Sequence, residues 1–537
     1  MQYGTTQARR AWVLGRKGRA GTSPAANRVQ RAGMDPGLRP GLGSRITSGG
    51  IMESMDYPPT QHHPLYVDLD GTLIRSDMLG ESVFAMLRRR PWAVLYLPRW
   101  LMRGKAHLKQ QLAERAEIDV TALPYREDVL AYLSEARTAG REVILATATH
   151  ARYAKSIADH LGLFDGVLAT EGAVNLKGSR KLDAIVRDMA ARGADRFGYI
   201  GDGRADVAIW RESDEIVAVD PSAGVRRQLT RLGESTKILR SEGRSITSLL
   251  RAARPHQWVK NLLLFVPLAL AHELGDGAKL GAAALGFVAF SLCASAVYLL
   301  NDMADVQADR HHPAKRKRPF AAGELSLGAG LIAAVALAAA AFGVAAALPA
   351  RFVLMLVIYL GLTTAYSFGL KRVVALDVLT LAALYTQRLW AGGAAADVWI
   401  SPWLIAFSLC VFLSLALMKR YTELLDLDPT DVTGRARGRG YIVGDARLIR
   451  LFGPVMGLLA AAVMMFYVTG EASRQYYQRP ALLWLVGPLL AVWLGRMWWA
   501  AHRGRMHSDP VLFAVRDWPS YVIGLLIAAV GVLATIA

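Results

Sequence analysis

The stretch Asn301-Asp302-Met303-Ala304-Asp305-Val306-Gln307-Ala308-Asp309-Arg310-His311-His312-Pro313 follows directly on an apolar run, Ala282 to Leu300, that is long enough to cross a bilayer. Each residue of a helix advances about 100°, so Asn301, Asp302, Asp305 and Asp309 fall at rotations of roughly 0°, 100°, 40° and 80°. Three carboxylates and an amide then share one face at a membrane boundary. Carboxylates there are costly and are usually paired, hydrated or metal-bound. Mg²⁺ takes a few carboxylates together with diphosphate oxygens and water, and this face offers the protein's share. The plainer reading is an acidic helix end in solvent, beside the basic loop Lys315-Arg316-Lys317-Arg318-Pro319.

The pattern Asn-Asp-x-x-Asp-x-x-x-Asp from Asn301 to Asp309, followed by Arg318-Pro319-x-x-x-Gly323, resembles the first aspartate motif of the UbiA superfamily of intramembrane prenyltransferases. That resemblance implies Asp302, Asp305 and Asp309 as Mg²⁺ ligands on a donor diphosphate, with Asn301 assisting and Arg318 on phosphate oxygens. Arg254-Pro255-His256-Gln257-Trp258-Val259-Lys260-Asn261 is similar to the entry of the UbiA branch that transfers phosphoribose onto polyprenyl phosphate, which makes Lys260 and Asn261 substrate-binding candidates. Read without the family, the same run is a Trp-Lys anchor at a membrane interface.

Composition agrees with a membrane protein. The chain has 537 residues, enough for more than one domain, is 53% hydrophobic, and carries a formal charge of +19. The basic residues sit between apolar runs and not on an aromatic-studded soluble face, which argues against nucleic-acid binding. Cys293 and Cys410 lie inside apolar runs, so neither a disulfide framework nor a cysteine zinc site is available.

After residue 254 nine apolar segments are expected, at about 260–272, 280–300, 326–347, 351–370, 374–394, 402–418, 449–469, 481–501 and 520–537. Loops 301–325, 371–373, 419–448 and 502–519 hold the Lys and Arg clusters. Positive-inside counting puts the amino-terminal domain and the aspartate loop in the cytoplasm of a bacterial-type inner membrane, with the C-terminus outside. Nine helices is also what the UbiA resemblance implies. The other half of the site should come from Lys371, Asp377 and Arg388, because a buried aspartate needs a partner or a metal, and Lys371 or Arg388 can serve. A structural ion pair is the alternative. Many UbiA members carry Asp-x-x-x-Asp as a second motif. Here Leu381 takes the second place, which favours the phosphoribosyl-transferring branch. Lys419-Arg420-x-x-Glu423 also resembles that branch, with Lys419 and Arg420 as phosphate holders or as stop-transfer charges.

The amino-terminal part has a different character. Residues 1 to about 60 are rich in Arg, Gly, Ser and Pro and read as a disordered leader, either a targeting peptide or an over-extended start with Met34, Met52 and Met55 as further candidates. Leu65-Tyr66-Val67 reads as a buried strand running into Asp68-Leu69-Asp70-Gly71-Thr72. Residues i and i+2 of a strand end point the same way, so Asp68 and Asp70 converge. Arg141 to Thr147 and Phe197 to Ile200 are further strands, the second ending in Gly201-Asp202-Gly203-Arg204-Ala205-Asp206. Helical patterns between them imply a parallel α/β sheet with its chemistry at the strands' carboxyl ends.

In this order the signals resemble the haloacid dehalogenase superfamily of aspartyl-phosphate phosphatases, over about residues 64–235. The resemblance implies Asp68 as nucleophile, Asp70 as general acid/base, Thr147 on the phosphoryl group, and Asp202 with Asp206, beside Asp68 and Asp70, around Mg²⁺. Lys177 and Lys181 both fit the family's lysine, and Lys181, which opens a helical pattern, is preferred. A helical cap is expected at about 76–124. Its apolar stretch Pro91 to Met102 is either cap core or a surface resting on a bilayer.

The whole then reads as a Rossmannoid phosphatase-like domain, a linker at 236–253, and an all-α polytopic transferase domain at 254–537. The donor is phosphoribosyl diphosphate with polyprenyl phosphate as acceptor, or a prenyl diphosphate with an aromatic or other lipid acceptor. A lipid-phosphate phosphatase merely anchored by its helices is the rival from another class.

Overall fold

The computed structural model describes residues 63–172, 174–232, 236–240, 246–425, 440–506 and 509–536, so the Arg-rich leader lies outside the described residues. Six strands, β1 (Leu65–Val67), β2 (Val143–His150), β3 (Gly166–Thr170), β4 (Gly198–Gly201), β5 (Glu215–Val219) and β6 (Thr236–Leu239), form one sheet in the order β3-β2-β1-β4-β5-β6. All neighbours are parallel, with Leu65 opposite Val143 on one side and Gly198 on the other. Parallel strands are covered on both faces, which is why β1 and β4 are buried at every residue.

Between β1 and β2 come α1 (Met78–Arg89), 3₁₀ turns at Pro91–Tyr96, α2 (Leu97–Met102), α3 (Lys105–Arg115) and α4 (Glu127–Thr138). Asp77 starts α1 by accepting the Gly80 N–H at 2.7 Å. Then follow α5 (Ala151–Leu161), α6 (Ser179–Ala191), α7 (Val207–Trp210) and α8 (Ala223–Leu229). Val129, Leu133 and Ala136 of α4 pack with Ala154 and Ile157 of α5 on one face of the sheet. Ile185, Trp210, Val225 and Leu229 cover the other. The expected domain end at 235 falls short. β6 pairs with β5 from Ile216↔Thr236 to Val219↔Leu239, so the presumed linker supplies the sheet's last strand and then α9 (Ile246–Ala253).

The second half is helical: α10 (Val266–Leu270), α11 (Gly277–Ala304), α12 (Val306–Arg310), α13 (Leu327–Ala345), α14 (Ala350–Phe368), α15 (Val374–Ala396), α16 (Pro402–Leu425), α17 (Ala446–Thr469), α18 (Glu471–Tyr476), α19 (Val486–His502), α20 (Pro510–Ala514) and α21 (Trp518–Ile536). Among the described residues, seven helices are long and apolar enough to cross a membrane, where nine spans were expected. The first expected span, 260–272, is instead a run of 3₁₀ turns over Pro255–Phe265 followed by the single short helix α10, with Pro267 at its start. The other, α15, has the length, at 23 residues, but buries Asp377, Thr380, Thr386, Gln387 and Arg388.

Helix α1 joins the two halves. Its Phe84 packs in one core with Ala252, Leu299, Met303, Val306, Phe320 and Leu327. Glu81, with no exposed surface, accepts from Nη1 and Nη2 of Arg310 at 3.1 and 2.6 Å and from the Ser76 hydroxyl at 2.5 Å. The loop after Arg318 also closes on the first domain. Gly323 has φ +71°, and a Cβ there would lie 2.6 Å from Cβ of Arg75, so a side chain is excluded both by conformation and by space.

Candidate functional site

Two acidic centres emerge. The first stands where β1 and β4 end side by side, the crevice in which doubly wound sheets bind their ligands. Asp68, just past β1, donates its backbone N–H to Ile200 O at 2.9 Å, and its Oδ1 accepts from Lys181 Nζ at 2.9 Å. Lys181 also lies 3.7 Å from Asp206 Oδ1 and donates to the Tyr199 hydroxyl at 3.0 Å, which in turn donates to Asp206 at 2.7 Å. The Gly203 N–H holds the other Asp206 oxygen at 3.0 Å. Of the two lysines weighed from the sequence, Lys181 is the one that reaches Asp68.

Oxygens of Asp68, Asp202 and Asp206 lie within 4.8 Å of one another. Three hard carboxylate donors at that spacing fit Mg²⁺. Gly71, with φ +80°, makes the convergence possible, since a Cβ there would sit 2.4 Å from Asp202 Oδ2. The Asp70 side chain, expected among the metal ligands, turns elsewhere. Its Oδ1 accepts the Met78 N–H and its Oδ2 the Thr149 hydroxyl, each at 2.8 Å. That leaves it beside the three-carboxylate group and not within it. Burial pushes the Asp68 carboxyl up to about 7 against the pull of Lys181.

Thr147 is buried on β2, and its hydroxyl accepts the Thr149 N–H at 3.0 Å. Two residues were not singled out from the sequence. Thr149 shares a strand face with Thr147, a period-two signal that was legible. Lys109 reaches in from the cap helix α3 to Ala148 O and to Asn175 Oδ1 at 2.8 Å, and no motif marks it. Burial lowers its ammonium pKa. Met78, Ser82, Lys109, Thr149 and Tyr153 line a small cavity between cap and sheet.

The second centre is at the end of α11. The helix does not continue through the motif: it stops at Ala304, Asp305 takes φ −96°, ψ 6°, and α12 restarts at Val306. The expected single face is thereby divided. Asp302 accepts from Arg254 Nη2 at 2.6 and 2.7 Å and from Arg318 Nη1 at 3.1 Å. The same Arg318 nitrogen reaches Asp309 Oδ2 at 2.6 Å. Burial pushes the Asp309 carboxyl up while Arg318 draws it down. Asp305 faces Lys371 at 3.5 Å and Arg88 of α1 at 3.6 Å. Among the described residues these three carboxylates do not close into a metal-sized group as the first centre does. Asp302 and Asp309 do bracket one position, held by the Arg318 guanidinium, and two hard anionic donors around a cationic group suit Mg²⁺ there. Asn301 is half-buried next to Asp302.

Deeper in the bundle, Lys260 Nζ meets Asp509 Oδ2 at 2.5 Å, and Lys419 Nζ lies 3.8 Å from the same oxygen. Asp509, which the sequence reading passed over, starts α20 by accepting the Val511 N–H at 3.1 Å. An Asp-Pro opening a helical run is a capping signal that marks its conformation but not this role. Arg388 Nε donates to Asn261 Oδ1 at 3.0 Å, Asn261 donates to Ser291 at 2.9 Å, and the Arg388 head lies 5.3 Å from the Tyr359 ring centre and 5.4 Å from that of Tyr385.

Asp377 is not partnered as expected. Lys371 turns to Asp305, Arg388 to Asn261, and Asp377 receives Arg420 and the Tyr366 hydroxyl at 2.8 Å. Arg420, 1% exposed, is bonded both to Asp377 and to Glu423.

The model of the UbiA prenyltransferase family matches residues 262–535. The model of haloacid dehalogenase-like hydrolases matches residues 65–211. The chain is 38% identical over 474 residues to the uncharacterized protein y4nM of Sinorhizobium fredii, covering 88% of this chain and 91% of that one. It is 34% identical over 284 residues to the nodulation protein NoeC of Azorhizobium caulinodans, covering 52% and 91%. To a decaprenyl-phosphate phosphoribosyltransferase of Mycobacterium tuberculosis it is 33% identical over 295 residues, covering 53% and 94%.

Proposed function

Since the chain belongs to the UbiA prenyltransferase family and carries a haloacid dehalogenase-like domain ahead of that part, we propose that it transfers a phosphoribosyl group from its diphosphate to a polyprenyl phosphate within a membrane. The observation that carries the choice of donor is the sealed second motif. Leu381 stands where many family members carry a second carboxylate, and Asp377 is bonded to Arg420, a pattern that favours the phosphoribosyl-transferring branch. The 33% identity to a decaprenyl-phosphate phosphoribosyltransferase supports the same reading.

In this mechanism Asp302 and Asp309 would hold Mg²⁺, with Asp305 and Asn301 beside them. Bound there, it would supply Lewis-acid stabilisation of a departing pyrophosphate. Arg318 and Arg254, freed from the carboxylates, bind phosphate oxygens. Lys260 and Lys419 share one carboxylate, Asp509, which leaves net positive charge to hold the acceptor's phosphate. An anionic oxygen of that phosphate forms the new bond to the sugar's C1 while the bond to pyrophosphate breaks. No proton need move. Stacked rings such as Tyr385 on Phe412, 5.0 Å apart, give the site apolar walls.

The product keeps its sugar 5-phosphate, and the amino-terminal domain is suited to remove it. Asp68 attacks phosphorus, Asp70 gives the leaving sugar oxygen its proton, and water then hydrolyses the aspartyl phosphate with Asp70 as base. Lys181 and Lys109 stabilise the phosphoryl charge, and Asp202 and Asp206, with Asp68, would hold Mg²⁺. The domain faces the cytoplasm, the side on which the basic loops lie.

The test supplies purified full-length protein with polyprenyl phosphate and either labelled phosphoribosyl diphosphate or labelled prenyl diphosphate. Label from the first is expected in lipid. Label only from the second overturns the donor. Comparing wild type with Asp68→Asn then tests the second step, because the variant should accumulate the phosphorylated lipid product, and equal yields of dephosphorylated product end that part of the proposal.

A further inference from the structure

The cap's outer side is apolar and faces away from the protein. Of the twelve residues Pro91 to Met102, only Ala93 is buried. Met102 is 82% exposed, Leu95 77% and Trp92 58%, with Val94, Tyr96 and Leu101 about half exposed. The cap's own core is Met86, Ala93, Leu108, Leu112 and Ala116 with Leu97 and Trp100 packed against it, and it leaves Trp92, Val94, Leu95, Tyr96, Leu101 and Met102 outside. Trp92, Tyr96 and Trp100 form a ladder with ring centres 6.2 and 5.9 Å apart. Aromatic rings of this kind collect at the level of lipid headgroups.

Two further observations identify what covers this surface. Pro91 lies in a groove against Val357, Leu360, Gly361, Thr364 and Phe368 of α14, a helix long and apolar enough to span. Val357, Gly361 and Thr364 are on its outward side, which a bilayer would contact, so the cap patch continues the lipid-facing surface of a span. Exposed Arg90, Arg99, Arg103 and Lys105 rim the patch. An apolar face with a cationic border matches a membrane carrying anionic headgroups.

We infer that the cap is a monotopic membrane anchor: residues 91–102 sit in the headgroup and upper acyl layer of the same bilayer that α14 spans. The inner side of this cap lines the small cavity against β2 through Met78, Ser82 and Lys109. A cap so attached would hold that side of the domain close to phosphates borne on lipids. The anchor goes beyond the proposed reaction and does not depend on it.

The experiment uses the full-length chain in nanodiscs containing anionic lipid. Cys293 is buried, so a Cys410→Ser background leaves an introduced thiol as the labelling site. Nitroxides are attached at Leu95→Cys and Met102→Cys, with Ile358→Cys on α14 as a lipid reference and Ser134→Cys on α4 as a water reference. Power saturation with oxygen and with a water-soluble nickel chelate reads depth without any enzyme assay. The inference expects both cap labels to be oxygen-accessible and nickel-protected, as at Ile358. Water-like accessibility, as at Ser134, overturns it. Dipolar broadening between labelled copies also overturns it, by identifying a face that pairs with a second chain.

Discussion

The two acidic centres use the same side chain in opposite ways. In the phosphatase-like centre, strand ends and one positive-φ glycine bring Asp68, Asp202 and Asp206 together around a single lysine, so the metal-sized gap exists before any ligand arrives. At the transferase mouth Asp302, Asp305 and Asp309 stand at a break between two helices and are neutralised by Arg254, Arg318, Lys371 and Arg88. A sheet edge fixes side chains through its ladder, whereas helix ends take their final direction from what packs against them. The first centre is therefore preassembled. In the second, Arg254 and Arg318 occupy the carboxylates, and under the proposed function a diphosphate would have to draw those arginines away.

The sharpest way to break this contrast is a crossed pair of variants. Asp68→Asn should reduce phosphate hydrolysis at least about 1,000-fold and leave transfer within about twofold, and Asp302→Asn should do the reverse. Loss of both activities in either variant would mean one shared centre. Next in size is the sealed second motif. Arg420→Met alone leaves Asp377 buried without its cation and should cost about 3–5 kcal/mol in thermal or denaturant unfolding, while Asp377→Leu with Arg420→Met recovers much of that. A double variant with no transfer despite recovered stability would return Asp377 to the chemistry.

Metal counting sharpens the comparison. After chelation, Mn²⁺ binding followed by spin resonance should find one ion per chain without diphosphate, and a second only when diphosphate is added. Two ions without it would show a preformed mouth. Lys109→Gln should lower hydrolysis about tenfold, the scale of one charged hydrogen bond, with transfer unchanged. Smallest is His311→Ala. Its pair with Asp119 joins the halves at 3.0 Å but is nearly half exposed on both sides, so both rates and stability should stay within about 0.5 kcal/mol of wild type.

What could be read from the sequence follows the same division. Local order was legible: β1 at Leu65–Val67, the carboxylates two residues apart after it, and the choice of Lys181 at a helix start all depend on neighbours in the chain. The helical wheel of Asn301 to Asp309 assumed one unbroken helix, and the break at Asp305 turned that carboxylate toward Lys371 and Arg88. Partners hundreds of residues away left no local trace. Asp509 meets Lys260 across 249 positions, and Arg310 meets Glu81 across 229. Of the nine expected spans, the two outside the seven long apolar helices among the described residues are the proline-broken turns before α10 and α15 with its buried charges.

The buried contact between Glu81 and Arg310 bears on how the molecule is made. On the ribosome, the strands of the sheet are complete once residue 239 has emerged, but Arg310, Phe320 and Leu327 are still to come. At about 5–20 residues per second, the stretch from 239 to 334 takes roughly 5–20 s. Throughout that interval Glu81 stays hydrated and Phe84 uncovered, and only insertion of the later helices dries them. The enzyme's first half thus waits for its second to finish its surface, and a chain truncated between them would display a greasy, acidic scar.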